Sequence, residues 1–263
     1  MTASAASTAS LAFLVGRPPT PGSVLHDVRR ELTAAGVDVR LHIVDRSLPA
    51  DLHAGLLVLK DLPAAVLGQL AGLGLPTCND AAAELRSLDK AAVVRALRAA
   101  GLPVPAGRCT ADWAEVGAAA ALGPVVVKPQ VGTQGAGVLL LDGPAPAAPV
   151  TPGPWLVQEP VPGDGLDRKL YVTSDRVDGL LRRWPDRGSG DPFCPAPELA
   201  ELARSAARVL GLELCGVDVL LGPDGPVVVD VNAFPGYKAV PAAAEQLAGH
   251  LLARLAGRVA TCA

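Results

Sequence analysis

Residues Leu212–Lys238 read LELCGVDVLLGPDGPVVVDVNAFPGYK, and this stretch decides the fold of the 263-residue chain. Two apolar runs rich in β-branched residues flank Gly-Pro-Asp-Gly, a pattern that predicts a β-hairpin. With the turn centred near Asp224, Asp218 falls opposite Asp230. Side-chain alternation then places Asn232 on the same face as Asp230. We therefore expect two carboxylates and one carboxamide to share a patch of an otherwise apolar ribbon.

Two carboxylates at such close range repel and raise each other's pKa unless a cation lies beside them. Mg2+ resolves the repulsion, because it accepts one or two carboxylates together with substrate phosphates. The hairpin thus predicts a metal site at Asp218, Asp230 and Asn232, with Mn2+ as a substitute ion. Taken alone, the same residues equally fit the polar solvent face of an edge hairpin.

A glycine-rich turn in Gly123–Leu141, GPVVVKPQVGTQGAGVLLL, is the second signal. The strand before the turn ends at Lys128, and the turn contains Gly132, Gly135 and Gly137. Glycines allow the backbone to approach a phosphate closely, while a lysine supplies a point charge. Because this loop joins two strands, it differs from the phosphate loops that open a helix. The pattern predicts a flap over a phosphate group.

Two further lysines lie at the ends of predicted elements. Lys90 follows the helix-capping Asp89, and in the first turn of a helix a cation is opposed by the helix dipole. It fits either a solvated residue or a phosphate ligand. Lys60 ends the strand LLVLK, and open α/β sheets bind ligands at the carboxyl ends of their strands. An exposed loop lysine is nevertheless the preferred interpretation of Lys60.

Composition excludes several classes of protein. The net charge is −3 and aromatic residues make up 3%, so neither a basic footprint nor a base-stacking platform for nucleic acid is predicted. We find no apolar run of the ~20 residues that a membrane span needs. Five scattered cysteines without a CxxC pair indicate reduced thiols and a cytoplasmic location. Residues 1–10 are expected to be a disordered leader.

Taken together, the acidic-x-Asn-x-x-Pro-Gly order after the apolar strand, the lysine and glycine loop, and the Asn then Asp-Lys helix resemble the ATP-grasp superfamily. The resemblance implies an α/β (α+β) fold in which a small parallel α/β subdomain precedes two antiparallel-sheet α+β subdomains that clasp ATP. The alternation of strands and helices up to about Pro76 independently predicts the parallel sheet. The expected boundaries are 11–78 for the first subdomain and 79–258 for the ATP-grasp domain, with a lid at about 106–160.

The resemblance also implies a role for individual residues. Phosphates of ATP are assigned to Lys90 and Lys128, with Gly132, Thr133, Gly135 and Gly137 closing over them. Adenine is assigned to Gln158, Glu159 and Val161, and the ribose to Asp167. Mg2+ is assigned to Asp218, Asp230 and Asn232. Lys169, with Arg182 or Arg183, is expected to stabilise the phosphoryl group in transfer.

Two branches of the superfamily compete for the reaction. RimK-like ligases activate a carboxylate as an acyl phosphate that an amine then displaces, whereas inositol-polyphosphate kinases phosphorylate a hydroxyl. The ending DVNAFPGYK is similar to the kinases, but Ala136 in the flap and an acceptor loop poor in positive charge favour a ligase. A non-catalytic nucleotide-binding protein is the third alternative. The expected partners are small-molecule acid and amine substrates, with no nucleic acid and no membrane; a homodimer is left open.

Overall fold

The computed structural model describes residues 9–50, 52–132, 137–148, 153–174, 176–183 and 190–257. The first third of the chain forms a parallel four-stranded sheet with strand order β2-β1-β3-β4. Its elements are β1 (Ser10–Val15), α1 (Val24–Ala34), β2 (Asp38–Ile43), β3 (Leu56–Lys60), α2 (Ala64–Leu73) and β4 (Thr77–Cys78). The predicted parallel α/β unit is therefore confirmed. Residues 1–8 of the expected leader lie outside the described residues, and β1 begins at Ser10.

Two short helices, α3 (Ala81–Ser87) and α4 (Lys90–Ala99), lead from the parallel sheet into a second sheet. Asp89 caps α4 as predicted, with its carboxylate accepting hydrogen bonds from the amides of Ala91 and Ala92. The second sheet is antiparallel with strand order β5-β8-β6-β7. Its elements are β5 (Gly107–Thr110), α5 (Trp113–Leu122), β6 (Val125–Pro129), β7 (Leu139–Leu141) and β8 (Trp155–Gln158).

The third sheet is antiparallel and has the strand order β11-β10-β9-β12-β13. Its elements are β9 (Leu166–Thr173), β10 (Arg176–Arg183), β11 (Asp191–Phe193), α6 (Pro197–Leu210), β12 (Leu214–Gly222), β13 (Gly225–Ala233) and α7 (Ala243–Leu255). One parallel α/β unit followed by two antiparallel sheets is the predicted fold class, which is confirmed. The subdomain boundaries at 78/79 and near 106–160 stay a proposal.

The hairpin that the sequence predicts is β12–β13. Asp218 pairs with Asp230 and Gly222 with Gly225, as expected for a turn centred near Asp224. The register shifts between Asp218 and Val219, so a β-bulge lies beside the first carboxylate. Because of this bulge, Asp218 lies opposite Asp230, although the pairing between the bulge and the turn is shifted by one residue.

The two faces of the third sheet contact different kinds of side chain. One face, which carries Leu170 and Val217, packs mainly against apolar side chains of α4 and α6. The opposite face is divided: Tyr171 and Leu214 pack with α7 and the parallel sheet at one end. At the other end of that same face the side chains are charged. The apolar core thus fixes the sheet and leaves one end of one face for polar groups.

Asn79 ties the connection between the first and third sheets to the start of β12. Its buried carboxamide accepts hydrogen bonds from the amides of Glu213 and Leu214 at 2.8 and 2.7 Å, and donates to the Leu214 carbonyl at 2.9 Å. It also donates to the buried carboxyl of Glu84 at 3.1 Å. In the sequence, Asn79 is part of the pattern that resembles the ATP-grasp superfamily. In the structure, its side chain holds the start of β12 in place.

None of the helices in the described ranges is long and apolar enough to cross a membrane. The cysteines that the structure describes carry free thiols, as the sequence predicts: Cys78, Cys109, Cys194 and Cys215. Cys262 lies outside the described residues.

Glu84 makes the stability of the fold depend on pH. Burial raises the pKa of its carboxyl from 4.5 to about 8, against the opposing effects of Asn79 and Lys60. The folded state therefore holds a proton that the unfolded state releases, and the protein loses stability as pH rises from about 4.5 to about 8. We expect Glu84→Gln, which keeps an acceptor for Asn79, to be more stable than wild type at pH 8 by a few kcal/mol, at ~1.4 kcal/mol per pKa unit.

Urea unfolding of both proteins between pH 5 and 8 measures this difference, which should shrink toward pH 5. Glu245→Gln, on the exposed side of α7, is the control and should show no comparable pH dependence. A difference between Glu84→Gln and wild type that stays constant across this pH range would contradict the neutral Glu84.

Candidate active site

A row of charged side chains crosses the polar end of the third sheet. Lys169 on β9 lies between two carboxylates, with its Nζ 2.5 Å from Asp218 and 3.5 Å from Asp167. Strand pairing places Asp218 next to Lys169 on one side and Asp230 on the other. Arg182 on β10 pairs with Asp167, and its guanidinium is 3.8 Å from that carboxylate. Positive and negative groups are therefore interspersed across four adjacent strands, with the two carboxylates of Asp218 and Asp230 next to each other.

Two lysines from outside the third sheet converge on β13. Lys90, in the first turn of α4, places its Nζ 2.7 Å from the carboxylate of Asp230. Lys128, near the end of β6, donates to the carbonyl of Val229 at 2.8 Å. Both lysines are less than 10% exposed, at 7% and 9%. The solvated alternative for Lys90 is thus wrong, since its ammonium is buried against a carboxylate.

The two opposed carboxylates of the hairpin differ in their affinity for a proton. Burial raises the pKa of Asp218 to about 6, with Lys169 opposing and the carboxylates of Asp167 and Asp230 adding to the shift. Burial alone would also raise the pKa of Asp230, but Lys90 and Lys128 together lower it. Asp230 is therefore firmly ionised, while Asp218 binds a proton more readily because it is buried and lies near two other carboxylates.

Lys169 stays protonated in this arrangement. Burial alone would lower the pKa of its ammonium group, but Asp218 and Asp167 more than offset that effect and the pKa is raised. A lysine held in the charged form stabilises negative charge nearby and has no tendency to act as a base. Because Lys169 lies between two carboxylates, its ammonium group is at the centre of the charged row.

The glycine loop begins next to Lys90. The amide of Lys90 donates to the carbonyl of Gln130 at 2.8 Å, and the side chain of Gln130 donates to Asp89 at 3.0 Å. Gly132 continues from there, and Gly137 resumes on the far side with a φ of 73° that favours glycine. Thr133, Gly135 and Ala136 lie outside the described residues. The first end of the loop, at Gln130, thus lies beside the lysine that the sequence assigns to phosphate.

Gln158 ends β8 with a carboxamide that is 2% exposed and has no hydrogen-bond partner for either its nitrogen or its oxygen. Glu159 beside it is exposed, and its amide donates to the carbonyl of Ala106 at 2.9 Å. Val161 is partly buried and lies near Gly222 of β12. A buried carboxamide with both functions unsatisfied is rare in a folded protein and indicates a polar ligand.

An apolar cleft adjoins Lys90, Lys128 and Asp230. It is lined by side chains that the sequence reasoning did not single out: Val93, Val94, Leu97, Leu156 and Val228. Its free volume is about 10 Å³, room for about one water molecule, so the cleft as it stands is too small for a nucleotide base. No local signal marks these residues, because aliphatic side chains on core helices and strands have the same pattern whether or not they line a cleft.

The remaining predicted residues lie on two different faces of the third sheet. The carboxamide of Asn232 donates to Asp230 at 3.2 Å, so these two side chains are neighbours as the alternation predicts. Arg182 shares the face of Asp167, whereas Arg183 alternates to the other face and is exposed. Of the two arginines between which the sequence could not choose, Arg182 lies in the charged row.

Lys60 corrects a sequence-based interpretation. The preferred reading was an exposed loop lysine, but the side chain is only 13% exposed and its Nζ donates to the carbonyl of Phe234 at 2.9 Å. Burial lowers the pKa of Lys60, and the nearby carboxylate of Asp61 opposes that effect. The lysine folds inward because Phe234, 174 residues later, offers it a carbonyl acceptor and a ring face.

A second buried cluster of potential metal ligands lies away from the charged row. His250 Nε2 is 3.1 Å from Glu213 and 3.7 Å from the thiol of Cys78, and all three residues are buried. Arg254, however, is 3.4 Å from the other oxygen of Glu213. A cation placed among the three would face that guanidinium at close range. We therefore assign this cluster to the packing of α7 and not to metal binding.

The charged row has the composition of a magnesium and nucleotide site. Two carboxylates and a carboxamide oxygen are the hard oxygen ligands that Mg2+ prefers. Two lysines, Lys90 and Lys128, suit phosphate groups. Asp167 has one buried oxygen with no hydrogen-bond partner among the described residues, and Gln158 has an unsatisfied carboxamide. The residues present fit Mg-ATP.

Comparison with known proteins agrees with this geometry. Residues 89–255 match the model of the RimK-like ATP-grasp domain. The chain is 34% identical over 203 residues to a probable alpha-L-glutamate ligase of Thioalkalivibrio sulfidiphilus, covering 68% of this chain and 66% of that protein. It is 30% identical over 210 residues to one of Methanococcoides burtonii, covering 72% and 70%. The chain spans about two thirds of the length of these curated relatives.

Solved structures share the fold. A RimK domain ATP-grasp protein from Sphaerobacter thermophilus superposes with a TM-score of 0.72 at 23% identity, over 93% of this chain and all of that one. The ATP-grasp ligase PsnB, complexed with a phosphomimetic variant of its minimal precursor, Mg and ADP, gives a TM-score of 0.68 at 20% identity, over 94% and 99%.

Gln158 provides a test of the nucleotide site. We expect Gln158→Met to stabilise the ligand-free protein by roughly 1–3 kcal/mol, because it removes two unsatisfied buried polar atoms. The same change should weaken ADP binding, since the carboxamide no longer meets the ligand. Thermal shift with and without ADP measures both effects. Glu159→Gln, at the exposed neighbour, is the control; a Gln158→Met protein that is no more stable than wild type and binds ADP normally would contradict the assignment.

Proposed function

This chain belongs to the RimK-like ATP-grasp family of carboxylate–amine ligases, and we propose that it joins a small-molecule acid to an amine through an acyl phosphate. The family confirms the sequence-based prediction of an ATP-dependent ligase. The observation that carries the proposal is the charged row itself: two carboxylates, a carboxamide and three buried ammonium groups gathered on one end of a sheet face.

Asp218, Asp230 and Asn232 are the proposed ligands of Mg2+, with Mn2+ as a substitute. When bound, the ion neutralises phosphate charge and polarises the phosphoryl group. The protein contributes a firmly ionised Asp230 beside a strained Asp218, so a cation at this position relieves repulsion that is present without it. The hairpin register holds the two carboxylates opposite each other before any ligand arrives.

Nucleotide binding is proposed for the groups around the hairpin. Lys90 and Lys128 would hold phosphates, covered by the loop from Gly132 through Thr133 and Gly135 to Gly137. Gln158, Glu159 and Val161 would hold the adenine, and Asp167 the ribose. The buried atoms of Gln158 and Asp167 that have no hydrogen-bond partner among the described residues support a polar ligand at these positions.

The proposed reaction has two steps. An oxygen of the substrate carboxylate forms a bond to the γ-phosphorus while the bond to the β–γ bridging oxygen breaks, which releases ADP. The amine nitrogen then bonds to the acyl carbon, inorganic phosphate leaves, and the nitrogen loses its proton to solvent. Lys169 remains an ammonium group because its pKa is raised, so it stabilises the transferring charge. Arg182 serves the same purpose from β10, while Arg183 is exposed on the other face.

The kinase alternative rests on the ending DVNAFPGYK. A hydroxyl kinase for inositol-phosphate-like substrates requires a cluster of cations to hold the phosphates of its acceptor. The proteins compared above are named ligases, which favours carboxylate activation. A non-catalytic nucleotide-binding protein is disfavoured because the proposed metal and phosphate ligands are present and converge. The cytoplasmic location and a homodimer stay predictions.

Replacement of one carboxylate tests the metal assignment. We expect Asp230→Asn to weaken Mg2+ binding and to abolish most turnover, because it removes the ionised ligand and leaves Lys90 and Lys128 without its charge. Asp224→Asn, in the exposed turn of the same hairpin, is the matched control and should behave as wild type. Circular dichroism verifies the fold, and calorimetry with Mg-ADP measures binding. Normal turnover in Asp230→Asn would contradict the metal site.

Trapping the intermediate distinguishes ligase from kinase. An acyl phosphate reacts with hydroxylamine to give a hydroxamate, whereas a phosphate monoester does not. We expect incubation with Mg-ATP, hydroxylamine and a panel of amino acids and other carboxylic acids to yield hydroxamate and free phosphate for the true acid substrate. Label from γ-labelled ATP that remains stably on an organic product would instead establish the kinase.

A further inference from the structure

The segment that follows the proposed metal ligands has an unusual backbone. Four residues other than glycine adopt positive φ between 234 and 242: Phe234 at 31°, Tyr237 at 49°, Ala239 at 61° and Ala242 at 51°. Such angles cost free energy in residues that carry a Cβ, and they persist only where surrounding contacts enforce them. The first of the four comes two residues after Asn232, so whatever holds this segment also bears on the end of β13.

The side chains of the segment are held by the core. Phe234 is 1% exposed and Tyr237 is 3% exposed. The Tyr237 hydroxyl donates to the carbonyl of Val172 at 2.8 Å, and the amide of Phe234 donates to the carbonyl of Leu214 at 2.8 Å. These contacts fix where the rings lie. The Phe234 carbonyl takes part in neither of these two hydrogen bonds.

Lys60 contacts that carbonyl from the parallel sheet. Its Nζ donates to the Phe234 carbonyl at 2.9 Å and lies 5.3 Å from the centre of the Phe234 ring, within cation–π range. The carboxylate of Asp61 is farther away, at 3.4 Å, and also binds Arg17 at 3.2 Å. The carbonyl is thus the shorter of the two polar contacts of Lys60. Burial of the Lys60 ammonium group costs desolvation free energy, and the ion pair with Asp61 alone poorly accounts for it.

We propose that Lys60 is a positioning residue for the metal site. By holding the Phe234 carbonyl it maintains the strained turn that begins directly after β13, and thereby keeps Asn232 and Asp230 side by side on the face of the charged row. The parallel sheet, which carries none of the proposed Mg2+ ligands, thus contributes a polar contact to the segment that follows them, in addition to its apolar packing against Phe234 and Tyr237. The inference rests on the proposed function, because it concerns the same metal site.

The experiment compares Lys60→Met with Arg17→Met. Methionine keeps the length and the apolar stem of Lys60 but removes the donor to Phe234. Arg17→Met removes a cation of equal charge from the same Asp61 and leaves the Phe234 contact intact, so it controls for electrostatic change at this edge of the sheet. Lys60→Arg, which restores a donor, is the third variant.

Two readouts are measured on the full chain. Hydrogen exchange without ligand should be faster across residues 232–240 in Lys60→Met, with the rest of the third sheet unchanged. The Mg2+ concentration that gives half of the ADP-dependent thermal stabilisation should rise roughly tenfold, the range seen when a group supporting a metal ligand is removed. ADP binding without Mg2+ should stay as in wild type. Arg17→Met should match wild type, and Lys60→Arg should recover part of the loss.

Each outcome decides the question. Wild-type protein that shows no Mg2+-dependent binding of ADP would refute the proposed function itself. Normal Mg2+ dependence and normal exchange in Lys60→Met, with wild type responding to Mg2+, would overturn only the positioning role. Uniformly faster exchange throughout Lys60→Met, or failure of that variant to fold, would also overturn it, because Lys60 would then be a general determinant of stability. An equal defect in Arg17→Met would reassign the effect to the charge of Asp61.

Discussion

Charge neutralisation along one end of the third sheet is the constraint on which the site depends. Lys169 between Asp167 and Asp218, and Lys90 beside Asp230, keep three half-buried carboxylates from repelling one another. Loss of one partner from such a network is costly, because a charge then stays buried without compensation. The raised pKa of Asp218 shows that the compensation is incomplete on that side. The protein can therefore fold with this charged row in place, and a further cation would lower the remaining repulsion between the carboxylates.

The fold can carry this surface because the sheet separates its two faces. Residues such as Leu170 and Val217 pack one face of the sheet against α4 and α6, and this apolar packing holds the strands without using the charged groups of the other face. On that other face, Tyr171 and Leu214 pack with the parallel sheet, and their neighbours two positions along are Lys169 and a glycine that continue toward the charged end. The boundary between core and site therefore runs across the strands rather than between layers.

Much of this was predictable where short-range geometry sets the outcome. The turn residues around Asp224 predicted the hairpin and the pairing of Asp218 with Asp230, but the turn alone does not set that pair. Counting from the observed Gly222–Gly225 pair places Asp218 opposite Val229, and the β-bulge between Asp218 and Val219 is what brings it opposite Asp230. Contacts between distant segments have no such local signal. The burial of Lys60 depends on Phe234, 174 residues away, and the choice of Arg182 over Arg183 depends on pairing with β9. The apolar cleft gave no signal at all, because its lining residues look like any core.

The ion pair between Lys90 and Asp230 links the two halves of the proposed ligand. Under the assigned roles, Lys90 belongs to a phosphate and Asp230 to Mg2+, yet in the ligand-free protein they bind each other at 2.7 Å. A nucleotide that draws Lys90 away leaves Asp230 short of positive charge, which favours the metal. A metal that binds Asp230 first releases Lys90, which then favours a phosphate. Under these roles each ligand would remove a cost that the other meets alone, which is the condition for positive coupling between nucleotide and metal.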